Sequence, residues 1–182
     1  MKPQAGIKIR VAACALSIGI AAPLVLAADT SQEITTKYIL ATAKAFRTVY
    51  SKTIVEQAER VGVKPSENYM TDEHTIMIPA HFVKAAGAEI KDFELGLIGL
   101  TPISKSNLPK TQAEADALKK MMADPELKVL TFADGKQFKG LAADHGIVQA
   151  CVDCHNAHQS SPKKDFRKGD LMGAIVVRID TK

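Results

Sequence analysis

The sequence predicts an α+β domain built on a mainly antiparallel sheet, and three observations carry that reading. Apolar residues recur every three to four positions along the front of the mature chain, over residues 31–62. Strand-like runs gather in the second half, two of them flanking Asp134 and Gly135, a dipeptide that signals a hairpin. No strand–helix–strand alternation is present, so the helices are expected before the sheet and on one of its faces. The 182 residues accommodate a leader over 1–27 and a single domain over 28–182.

The leader rests on Lys2, Lys8 and Arg10, which precede the run VAACALSIGIAAPLVLA and a small-residue exit at Ala27 and Ala28. This is the pattern of a secretory signal peptide, cut after Ala27. The run is short for a bilayer span and is interrupted by Pro23, which argues against an uncleaved anchor. Cys14 lies too early in it for a lipid-attachment box and leaves with the signal. A periplasmic or otherwise exported protein is expected, with no membrane span after residue 28.

The first helix has candidate N-caps at Asp29, Thr30 and Ser31, with Glu33 three residues after Thr30 as a capping box requires. Its stripe of Ile34, Tyr38, Ala41, Ala45, Val49 and Thr53 is expected to face the core, and Gly62 and Pro65 stop it. Residues 63–75 read as polar and irregular. A short helix follows Pro79 in IMIPAHFVKAAGAEI, then a strand over 94–103 and a loop. A helix from Thr111 is closed by Pro125, with Met121 and Met122 assigned to packing and surface. Strands over 127–133 and 136–143 form the hairpin, and the last strand covers 171–179.

Removing Lys2, Lys8 and Arg10 from the 24 basic residues leaves 21 against 20 acidic ones, a mature net charge of +1. With no basic stripe and no interleaved aromatic platform, nucleic acid is not an expected partner.

The chemistry concentrates in CVDCHNAH. Cys151, Cys154 and His155 form C-x-x-C-H, the attachment motif of c-type haem: two thiols add to the vinyl groups and the adjacent histidine binds the iron. Three other readings compete. A structural disulfide is permitted in an exported chain. A redox dithiol normally follows a strand in a strand–helix–strand unit, which is missing, and zinc would need further ligands from His145 and His158 in unusual geometry. One covalently attached haem c is the expected cofactor.

CVDCHNAH, followed by SPKKDFRKGDLMGAIVVRI and preceded by AKAFRTVYSKTIVEQAE, ENYM and IMIPAHFV, resembles the family of exported c-haem domains with a PAS-like fold, found in small cyanobacterial cytochromes and in the sensor regions of histidine kinases and chemoreceptors. The resemblance implies a haem held against an antiparallel sheet, and a role in redox or signal detection. It makes Cys151 and Cys154 the thioether anchors and His155 the proximal ligand, and it assigns Gly169, Asp170 and Gly173 to a turn and the close approach of the last strand. Some members are thought to place a cysteine on the first long helix as second axial ligand. This chain has none there, and Tyr50 sits at about that place.

The sixth iron position therefore stays open among His81, the first choice because it follows Pro79 in an apolar segment, and Tyr50, Met77, His74 and Met70. His145 is placed to hydrogen-bond a propionate. A protein ligand at the sixth position suits electron transfer or redox sensing; a vacant one suits gas sensing or peroxidase-like chemistry. No Arg-x-x-x-His pair of the kind an efficient peroxidase uses is visible, which favours a carrier or sensor over an enzyme. The chain stops at Lys182 without a kinase or methyl-accepting region, which tilts the expectation toward electron transfer. The expected partner is a redox protein, steered by the run KKDFRK, or else a gas or small-molecule ligand.

Overall fold

The computed structural model describes residues 30–181, so the leader expected over 1–27 lies outside the described residues. Helix α1 (Ser31–Val49) starts at Thr30, whose Oγ1 accepts the Glu33 amide at 3.2 Å, as the capping pattern requires. It runs on through a π-helical segment, Tyr50–Val55, into α2 (Glu56–Arg60). The Gly62 amide then donates to the Glu59 carbonyl at 3.1 Å and the Val63 amide to that of Ala58 at 2.9 Å, which closes the helix in a Schellman motif.

The face that α1 buries is not the expected one. Tyr38, Phe46 and Val49 are 71%, 64% and 58% exposed, and Ile34, Ala41, Ala45 and Thr53 are exposed with them. The buried stripe is Thr36, Leu40, Arg47, Ser51 and Val55. Its hydroxyls bond back into the helix, Thr36 to the Gln32 carbonyl at 2.7 Å and Ser51 to that of Arg47 at 2.9 Å, so burial leaves them satisfied.

In and just after 63–75, β1 (Lys64–Ser66) pairs in parallel with β2 (Thr75–Met77), two triplets too short for sequence pattern to register. Helix α3 (Pro79–Glu89) takes proline in its first turn and leads to β3 (Glu94–Ile98). The strand ends five residues before the expected position because the Gly99 amide turns to the Asn107 carbonyl at 2.9 Å. Then come α4 (Gln112–Ala123), the hairpin β4 (Val129–Asp134) and β5 (Gln137–His145), α5 (Gln149–Ala157) and β6 (Leu171–Asp180).

The four-stranded sheet has the order β3-β6-β5-β4 and every pair is antiparallel. Helices cover both of its faces, which corrects the expectation of one. Leu40 of α1 packs with Ala142, Ile175 and Val177, and Ala117, Leu118 and Met121 of α4 pack with Leu141, Ala143 and Val176 on the other side. This is why β6 is buried without alternation from Ala174 to Arg178. Helix α1 lies so close to β5 that a Cβ on Gly140 would fall 2.4 Å from Thr36 Cγ2, so only glycine fits there.

Candidate functional site

Helix α5 carries the motif. On a helix, positions i, i+3 and i+4 share a face, so Cys151, Cys154 and His155 project together, with buried Val152 on the flank of that face. All three line a cavity of about 460 Å³ at the end of the sheet where β3 and β5 finish and β6 begins. That volume lies within the usual range for a cofactor or small-molecule site. Both thiols are free and half-buried.

Burial pushes the Cys154 thiol up, helped by Glu67 and Cys151. Burial pulls His155 down, and the charge of Arg47 adds to it, so at neutral pH the imidazole is uncharged and keeps a lone pair for a metal. The ring of His155 meets the edge of Phe166 at 5.5 Å and 85°. Asn156 fixes Phe166 at two points: its Nδ2 donates to the Phe166 carbonyl at 2.9 Å and its Oδ1 accepts the Phe166 amide at 2.9 Å. The run KKDFRK is thereby tied to the site, with Lys163 Nζ 4.4 Å above the Phe166 ring.

Gly169 has φ +96° in the turn before β6, and the Asp170 carboxylate accepts the Arg167 amide at 2.9 Å there. A Cβ on Gly173 would fall 2.4 Å from the Ile98 carbonyl oxygen, which makes the close approach that the resemblance assigned to this strand.

Among the candidates for the sixth position, the cavity receives His81. It lies in the first turn of α3, half-buried, its ring inclined to that of Tyr69 with the ring centres 6.3 Å apart. Tyr50 is turned elsewhere: its hydroxyl donates to the Met77 carbonyl at 2.7 Å and its ring stacks on Phe82 at 4.4 Å. The α1 residue that lines the cavity is Arg47. Met77, Met70, His74 and His145 are not among the lining residues; His74 sits exposed in a loop at φ +56°. His158 does line the cavity, with Nε2 3.4 Å from Glu67 Oε2 and Nδ1 accepting the Ser160 amide at 3.1 Å.

Sequence reasoning missed Arg47, Asp144 and Met172, all of which line the cavity. Arg47 is 7% exposed and its Nη1 lies 3.0 Å from Asp144 Oδ1. The signal for Arg47 was a lone basic residue in phase with Leu40 and Ser51. Met172 stood at the variable position of G-D-L-x-G-A, where the pattern drew attention to its neighbours. Among the described residues no three His, Cys, Asp or Glu side chains gather as a cage for a metal ion.

The class of protein this defines is an α+β domain in which two free thiols and a neutral imidazole on one face of a helix line a cavity at the end of an antiparallel sheet. Residues 26–180 match the model of the Tll0287-like family, and the chain belongs to that family. Among solved structures it is similar in fold to the crystal structure of the cyanobacterial heme-protein Tll0287, with a TM-score of 0.55 and 16% identity over 83% of this chain and 96% of that one. No curated protein matches.

Proposed function

We propose that this chain is an exported monohaem c-type cytochrome of PAS-like architecture that exchanges electrons with a partner protein or reports redox state. One observation carries the proposal: Cys151, Cys154 and His155 all line a single cavity of about 460 Å³. The description of the similar crystal structure as a heme-protein supports the same reading. The donor set fits the group, because the thiols are unpaired, the imidazole is uncharged and the two cysteines lie at i and i+3 on one face.

Haem, when bound, supplies an iron that changes oxidation state by one electron. The rest falls to the chain's own residues. Cys151 and Cys154 would hold the haem covalently through thioethers at its two vinyl groups, the thiol hydrogens being retained on the vinyl carbons. His155 would bind the iron through its neutral ring, and Phe166, clamped by Asn156, limits the swing of that ring. His81 is proposed as the sixth ligand, since it lines the same cavity as His155. The exposed run Lys163–Lys168 beside the motif would receive an acidic redox partner.

The test is production in a periplasm equipped for haem attachment, followed by mass and visible spectra of the reduced protein with and without carbon monoxide. The expected outcome is one covalently held haem and sharp reduced bands that carbon monoxide leaves unchanged, with His81→Ala becoming responsive to the gas. A gas-responsive wild type would replace the carrier reading with ligand sensing, and absence of covalent haem would reject the assignment of Cys151 and Cys154.

A further inference from the structure

Arg47 lines the cavity, and the proposed function leaves its chemistry unused. It is 7% exposed, on a helix face whose other buried members are apolar or carry hydroxyls bonded back to the helix. Arginine is almost never this buried unless paired, and its guanidinium carries five donors in a fixed fork. Asp144 meets Nη1 at 3.0 Å, while Nε is buried without any acceptor. An unsatisfied buried donor is costly to folding, a penalty that a leucine at position 47 would avoid. The other carboxylate of the wall, Glu67, lies 3.4 Å from His158 and offers Arg47 no relief.

We propose that Arg47 is an anion-receiving site inside the cavity, built to take a carboxylate on the edge of the guanidinium that Asp144 leaves free. Nε carries almost no accessible surface, so a carboxylate reaches it once the Arg47 side chain turns toward the cavity, where it accepts from Nε and the neighbouring Nη in the side-on bidentate geometry that arginine favours. Two sources have this chemistry: a propionate of the haem, in which case the inference rests on the haem reading above, and a free small carboxylate entering from solvent. Asp144 is the residue that holds the fork in place for either.

The experiment compares wild type, Arg47→Lys, Arg47→Gln and the double variant Arg47→Gln/Asp144→Asn, which leaves no buried charge if the single variant fails to fold. Covalent haem is first verified by mass. The midpoint potential and the ferric spectrum are then followed during a formate titration. If a propionate is the occupant, formate has no effect on wild type, and the potential falls in Arg47→Gln through loss of a cation beside the iron and recovers in Arg47→Lys. If a free carboxylate is the occupant, formate shifts the wild-type spectrum and its affinity drops at least tenfold in Arg47→Gln. Equal potentials and equal formate responses in wild type, Arg47→Gln and the double variant would overturn the proposal. If wild type carries no haem, the haem reading fails by itself, and the anion site is read as a formate-dependent rise in Tm of the haem-free protein that is lost in Arg47→Gln; no rise would overturn it too.

Discussion

Asn156 holds the loop after the motif by exchanging two hydrogen bonds with the backbone of Phe166, and Phe166 in turn abuts His155. Substituting Asn156→Ala removes both bonds and leaves the Phe166 amide to find water. The expected cost is about 1–3 kcal/mol, local to the loop, read as faster hydrogen exchange at Phe166 with the core amides of β5 and β6 unchanged. Uniform loss of protection would show that the clamp supports the whole fold and not the His155 pocket. At this scale the legible part of the site was the part that is local in sequence. Cys151, Cys154 and His155 sit within five positions, and helical geometry alone brings them to one face. Arg47, Asp144 and Met172 come from α1, β5 and β6 and meet only because the sheet order puts those ends together, a juxtaposition that no local pattern encodes.

Helix α1 explains how a correct element can be given the wrong face. Two stripes at 3–4 spacing run along it, the exposed Ile34, Tyr38 and Val49 and the buried Thr36, Leu40, Arg47, Ser51 and Val55. The exposed stripe is the more apolar, so periodicity selects it. The buried one contains Thr, Ser and Arg: the hydroxyls bond back to the helix backbone, and Asp144 meets the Arg47 guanidinium at Nη1 only, leaving Nε without an acceptor. Its late members, Arg47, Ser51 and Val55, step by four, which drifts around a regular α-helix; the wider winding of the π segment Tyr50–Val55 keeps them facing inward. Leu40→Ala is therefore expected to cost about 2–5 kcal/mol of stability in denaturant unfolding. Phe46→Ser, on the outer face, should stay within about 0.5 kcal/mol. The opposite ranking would restore the face that periodicity selects. The hairpin, α3, α4 and the helix stops were legible because proline, glycine and capping residues act locally. The two-sided cover of the sheet was not, since it depends on where α4 and α1 pack after the strands have paired.

Across the whole molecule, the end of the sheet remote from the cavity is held by charge. Asp134 of β4, Lys139 of β5, Arg178 of β6 and Glu94 of β3 form a row over all four strands, with Lys139 directly opposite Arg178 and Arg178 opposite Glu94. Glu114 of α4 closes the row from above: Lys139 Nζ and Arg178 Nε both lie 2.7 Å from its Oε1. Burial alone would raise the Glu114 carboxyl, but hydrogen bonds from Arg178, from Lys139 and from the Lys110 amide outweigh it and hold the group at about 2. In the unfolded chain the same carboxyl titrates near 4.5. Between those values the unfolded state binds a proton that the folded state does not, so the contribution of Glu114 is complete above about pH 4.5 and is lost as pH falls toward 2. Glu114→Gln removes the anion from between two buried cations and is expected to destabilise by about 3–5 kcal/mol at neutral pH. Its unfolding free energy should then fall less steeply than that of wild type from pH 4.5 to 2, as measured by urea unfolding across the window. Parallel pH slopes in the two proteins would mean that the row is held by packing of α4 on the sheet and that the ion pairs contribute little.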